Sequence, residues 1–61
     1  MKRRDLIGHL KKHHCRLARE GSNHSIWVSG VTGAWASIPR HTDVKETLVK
    51  AICRQLGIPR P

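Results

Sequence analysis

The sequence predicts an α+β domain of order α-β-β-β-α, a three-stranded antiparallel sheet carrying both helices on one face. Three observations carry that expectation. Apolar residues recur at helical spacing near both ends of the chain. Between them lie three short segments of strand character, separated by the turn signals Gly21-Ser22-Asn23 and Gly30-Val31-Thr32-Gly33. Finally, 61 residues make one domain at most, spanning 1–61. A chain this small buries only about 60% of its unfolded surface. It has material for one layer of helices on a sheet and hardly for an enclosed cavity. Any site is therefore expected to be shallow, which suits a polymer lying across a surface.

The first helix is expected over Arg3 to about His13. Leu6, Ile7 and Leu10 form its apolar stripe, with Gly8, Lys11 and Lys12 on the other side. Gly8 weakens it by roughly 1 kcal/mol relative to Ala. Arg4 is a poor N-cap, which predicts a frayed start. In "CRLARE", Cys15 and Leu17 alternate with Arg16 and Ala18, as in a half-buried strand. "HSIWVS" is rich in β-branched and aromatic residues, and "GVTG" turns it back into "AWASI", which ends at Pro39. The last helix is expected over Asp43–Leu56, with Val44, Leu48, Ala51, Ile52 and Leu56 inward. Asp43 and Glu46 suggest a capping box, Glu46, Lys50 and Arg54 an outer face, and Gly57 a stop.

A symmetric "GVTG" hairpin sets Ser29 against Ala34 and Trp27 against Ala36. Alternation then puts Ser25, Trp27, Ser29, Ala34, Ala36 and Ile38 on one face. His24, Ile26, Val28, Trp35 and Ser37 share the other. Neither set is purely apolar, so periodicity leaves the choice open. Trp27 and Ile38 are favoured against the helices, because the neighbouring alanines leave room for close packing. His24 and Trp35 are then on the open face, an assignment that a one-residue slip would reverse.

Twelve Lys/Arg oppose four Asp/Glu, a net charge of +8 with a pI near 10.9. That balance points to a polyanionic partner, most often nucleic acid. Cys15 and Cys53 form no C-x-x-C pair and are expected to be reduced packing residues of a cytoplasmic protein. No apolar run is long enough to cross a membrane, and "MKRRD" followed by an amphipathic segment is not expected to be an export signal. His9 and His13, at i and i+4 beside His14 and Cys15, offer two ligands where zinc wants three or four, so no metal site is expected.

Three separated stretches, "EGSNHSIWVS", "SIPRH" and "VKETLVKAICRQLGI", resemble the HicA toxins of bacterial toxin–antitoxin systems. The resemblance runs from "LIGHLKKH" to "QLGI". It implies a double-stranded-RNA-binding-domain-like fold and a metal-independent, cofactor-free mRNA interferase of the bacterial cytoplasm. It also implies a HicB antitoxin that covers the active face, with DNA contacted only through the antitoxin complex. The histidine after the Gly-Ser turn is the family's catalytic residue, here His24. Many members read Gly-Ser-His-His, whereas Asn23 fills the first slot here. His14 stands where glycine is common, and Arg3 and Arg4 where small polar caps are common.

RNA supplies its own nucleophile, the 2′-hydroxyl. A lone histidine can transfer one proton, and cations can stabilise the charged phosphorane. Candidate RNA-binding residues are Gly21, Ser22, Asn23, Arg40, His41 and Lys45, since Pro39 falls opposite His24 and Lys45 starts the last helix. Candidate antitoxin contacts are His24, Trp35 and Arg40. Two other functions compete: a non-catalytic RNA- or DNA-binding module, and a subunit that only docks a protein partner.

Overall fold

The computed structural model describes all residues, 1–61. Helix α1 (Arg3–Lys12) is followed by β1 (Cys15–Glu20), β2 (His24–Ser29), β3 (Trp35–Pro39) and α2 (Glu46–Leu56). The strands form one antiparallel sheet in the order β1-β2-β3. Both helices pack on one face. Leu6 and Leu10 of α1 and Val49, Ile52, Cys53 and Leu56 of α2 join Cys15, Trp27, Ala36 and Ile38 in a single core. The hairpin register is the expected one. Trp27 pairs with Ala36, His24 pairs with Pro39, and the Ser29 N–H donates to the Ala34 carbonyl at 2.8 Å.

That register puts Ser25, Trp27, Ser29, Ala36 and Ile38 under the helices, all buried. His24 and Trp35 are exposed on the open face, where Ile26, Val28 and Ser37 are half-buried. The two buried serines lie inside because each has partners. Ser29 Oγ accepts the Val31 and Thr32 N–H groups and so shapes the hairpin turn, while Gly33 supplies its positive φ of 78°.

Four local expectations need correction. The start of α1 is not frayed. Arg3 N–H donates to the Thr42 carbonyl at 2.7 Å, so a loop satisfies a donor that no side chain caps. β1 is bare beyond Cys15, and Leu17 is 45% exposed. Leu17 has the parity to face the helices, opposite Trp27, but two helices do not reach the outer half of an edge strand. A bulge between Leu17 and Arg19 then restores Glu20 to register with Ser25.

The capping box does not form, because α2 begins at Glu46 with Lys45 as an N-cap that makes no side-chain bond. Asp43 instead lies across a bridge from Lys2, their charges 3.5 Å apart, and Glu46 lies 3.7 Å from the Met1 amino group. The inward stripe of α2 is also shifted. Val49, Ile52, Cys53 and Leu56 are buried, while Ala51 is exposed and Leu48 is 39% exposed. Val44 is buried too, but from the extended segment before the helix. Counting Cys53 as apolar gives the i, i+3, i+4, i+7 pattern that the packing obeys.

At the far end of α2, Gly57 takes φ 72° and Ile58 N–H returns to the Cys53 carbonyl, a Schellman closure. The α1–β1 turn needs the same left-handed backbone but has His14, at φ 65°, to supply it. Gly30 N–H ties that turn to the sheet through the His14 carbonyl, 2.8 Å away. Both cysteines are free and buried, and burial raises both thiol pKa values. No helix is long and apolar enough to cross a membrane.

Candidate functional site

The candidate site lies at the end of the sheet where β2 begins. Gly21, Ser22 and Asn23 connect β1 to β2, and the connection closes through Gly21 N–H to the His24 carbonyl at 2.7 Å. The approach demands glycine, since a Cβ on Gly21 would stand 2.9 Å from that oxygen. The His24 imidazole is exposed and makes no hydrogen bond within the protein, leaving both ring nitrogens open to solvent or substrate. Ser22 and Asn23 are exposed beside it.

A chain of polar contacts fixes this turn from below. Arg3 Nε donates to the Pro39 carbonyl at 2.8 Å, and its Nη2 to Ser25 Oγ at 3.0 Å. Ser25 Oγ donates to Glu20 Oε1 at 2.5 Å. The other carboxylate oxygen meets Arg40 Nη2 at 3.0 Å, and that nitrogen also donates to the Gly21 carbonyl at 2.7 Å. Helix α1, all three strands and the loop after β3 thus converge on the backbone that presents His24. The hydrogen bond from Ser25 holds the Glu20 carboxyl below its ordinary range. Partial burial opposes that effect, and the charges of Arg40 and Arg3 add to it.

Of the residues singled out from sequence, Gly21, Ser22, Asn23, His24 and Arg40 are brought together. His41 and Lys45 are exposed, but neither bonds to the turn. Arg3, Glu20 and Ser25 were not anticipated as parts of the site. A signal existed for Glu20: it is one of only four acids in a strongly basic chain, placed directly before the turn.

Further along the open face is a shallow depression of about 530 Å³ lined by Arg16, Ala18, Arg19, Ile26, Val28 and Trp35. Trp35 is 57% exposed there. The remaining histidines belong to α1 and its end. His9 Nε2 donates to the Pro59 carbonyl at 2.6 Å, and the His9 ring lies 4.5 Å from that of His13. No group of three or more His, Cys, Asp or Glu side chains is gathered where it could hold a metal ion.

An exposed imidazole on a turn held by Arg3 and Arg40, on a small basic domain without a deep cleft, defines an α+β protein whose candidate site is an open surface. Comparison with known families makes this specific. The family model described as HicA toxin of bacterial toxin-antitoxin matches residues 3–58, and the chain belongs to that family. It is the toxin of a toxin–antitoxin pair, which implies an antitoxin as its partner. No curated protein and no solved structure gives a significant match.

Proposed function

We propose that the protein is an endoribonuclease that cleaves mRNA, with His24 as its catalytic residue, no metal requirement, and a HicB-like antitoxin as its restraint. The observation that carries this reading is the His24 ring, exposed and unbonded on a turn that Arg40 and Gly21 hold in place. Freedom at the ring and rigidity beneath it are what proton transfer to a docked polymer requires.

The substrate's 2′-hydroxyl attacks the adjacent phosphorus. The 2′-O–P bond forms, the P–O5′ bond breaks, and the 2′ proton leaves as the 5′ oxygen gains one. His24 serves one of these two transfers and water the other, for roughly a hundred- to ten-thousand-fold acceleration. Arg40 is near enough to the turn to stabilise the phosphorane charge with the guanidinium atoms that Glu20 and Gly21 leave free. Ser22 and Asn23 offer backbone and side-chain donors around the same phosphate, Gly21 lets the chain approach it closely as the turn's hinge, and His41 and Lys45 add cationic or titratable groups farther along the strand's path. The antitoxin covers the open face through His24, Arg40 and the exposed Trp35, an aromatic anchor of the kind that dominates protein interfaces. DNA contacts belong to the toxin–antitoxin complex.

The test is incubation of mRNA with wild-type and His24→Ala protein in EDTA, alongside expression of both in growing cells. Wild type cuts RNA and arrests growth, and His24→Ala does neither while keeping its fold. Full cleavage by His24→Ala, or loss of wild-type cleavage in EDTA, refutes the mechanism. RNA binding without cleavage by wild type would identify a non-catalytic binding module.

A further inference from the structure

Beside the His24 turn, around the end of the sheet, is a second depression of about 370 Å³. Lys2, Arg3, Arg4, Arg40 and Thr42 line it, with no apolar residue among them. Three segments contribute: the residue before α1, the first turn of α1, and the loop after β3. We propose that this depression is a second phosphate subsite, which holds a backbone phosphate of the RNA flanking the one presented to His24. The inference rests on the ribonuclease reading above.

Four observations support it. First, four cations and no acid line one small space, and two of them, Arg3 and Arg4, have no carboxylate in an ion pair, so an anion entering there relieves their mutual repulsion. The other two are each paired with one carboxylate, Lys2 with Asp43 and Arg40 with Glu20. Second, donors remain free. Arg4 is exposed and makes no hydrogen bond or ion pair, Arg3 keeps one Nη, Arg40 keeps Nε and one Nη, and the Thr42 hydroxyl has no partner. The wholly free guanidinium of Arg4 can match phosphate oxygens in bidentate fashion, and the donors left on Arg3 and Arg40 add single charge-assisted hydrogen bonds.

Third, Arg3 and Arg40 are not loose surface charges. They hydrogen-bond Ser25, Pro39 and Gly21, the residues that flank or face His24. A phosphate gripped by these two arginines is thereby indexed against the imidazole, so the subsite sets which phosphate of the strand meets His24. Fourth, the space is open and shallow, so a continuous polymer can pass through it.

The experiment uses Arg4→Ala, since the Arg4 side chain is exposed with no hydrogen bond or ion pair to lose and alanine suits a helix. Binding of wild type and variant to a 2′-O-methyl oligoribonucleotide, which lacks the nucleophile, is followed by anisotropy at several salt concentrations. Steady-state cleavage of the matching RNA is measured in parallel, with Lys50→Ala as a control cation from α2. Arg4→Ala is expected to weaken binding about three- to tenfold and to reduce the slope of log affinity against log salt by roughly 0.7. KM rises accordingly, kcat stays within about twofold, and Lys50→Ala has a smaller effect on all three.

Equal affinity and slope for Arg4→Ala and wild type overturn the subsite, as does an equal loss for Lys50→Ala. Absence of oligonucleotide binding by wild type overturns it too. If wild type binds and responds to Arg4→Ala but never cleaves, the ribonuclease reading fails while the phosphate contact stands. If wild type cleaves and Arg4→Ala changes nothing, the subsite alone fails.

Discussion

Gly21→Ala tests how the fold presents His24. The new Cβ would lie 2.9 Å from the His24 carbonyl oxygen, about half an ångström inside ordinary contact. That oxygen is a backbone atom and cannot swing aside as a side chain would. The turn must open, and the 2.7 Å hydrogen bond from Gly21 N–H to the same oxygen stretches with it. A weakened hydrogen bond of this kind costs about 1 kcal/mol. Residual strain adds about another 1 kcal/mol, and the stiffer unfolded chain returns about 0.5 kcal/mol. The net loss is about 1–2 kcal/mol, and each kcal/mol lowers Tm by about 4–8 °C in a domain this small.

Under the proposed mechanism the effect on activity is larger than the effect on stability. Displacing a catalytic group by about 1 Å can cost about a hundredfold in rate. Gly8→Ala is the matched control, because a Cβ there meets nothing within 4 Å and lies on the exposed side of α1. It should stabilise by about 0.5–1 kcal/mol and leave cleavage unchanged. Thermal denaturation of the three proteins, with single-turnover RNA cleavage below the lowest Tm, provides the assay. Wild-type Tm and wild-type cleavage in Gly21→Ala would refute the argument that this close approach holds the turn.

Three further outcomes are expected. His14→Gly should stabilise by about 0.5–1 kcal/mol, because the left-handed backbone strain at φ 65° exceeds the added entropy of glycine when unfolded; urea titration measures it. Glu20→Gln should flatten the acid limb of the stability curve. The folded carboxyl titrates below its unfolded value near 4.5, so its contribution is present above that pH and disappears as pH falls through the folded value; melting curves from pH 7 to pH 3 check the sign. Trp27 is 5% exposed, yet its indole Nε1–H is buried without an acceptor. Trp27→Phe removes that unpaired donor and should cost no more than about 1 kcal/mol, whereas Trp27→Ala should cost about 3–5 kcal/mol, read by chemical denaturation.

Much of this protein was legible along the chain, because the signals are local. The "GVTG" turn between two short apolar segments determines the β2–β3 register, and the register fixes that His24 and Trp35 share a face with Ile26 and Val28. Helical spacing and Gly57 mark α2 and its end. Three separated stretches resemble the family that the chain belongs to. Helix phase was less legible. Leu48 and Cys53 compete for the inside of α2, and it is Cys53, with Val49, Ile52 and Leu56, that is buried, while Val44 is buried from the segment ahead of the helix.

What tertiary structure alone decided are the contacts between residues distant in sequence. Lys2 and Asp43 form a bridge that brings the start of α1 to the loop before α2, and this takes Asp43 away from any capping role. The same closure carries Arg3 to Ser25 and Pro39, and the bulge in β1 carries Glu20 to Ser25 and Arg40. No periodicity encodes such pairings, because long polar side chains find their partners only after the sheet end and the helix start have come together. Sequence established that a histidine stands at the start of a strand; packing established the arginine and carboxylate framework that holds it there.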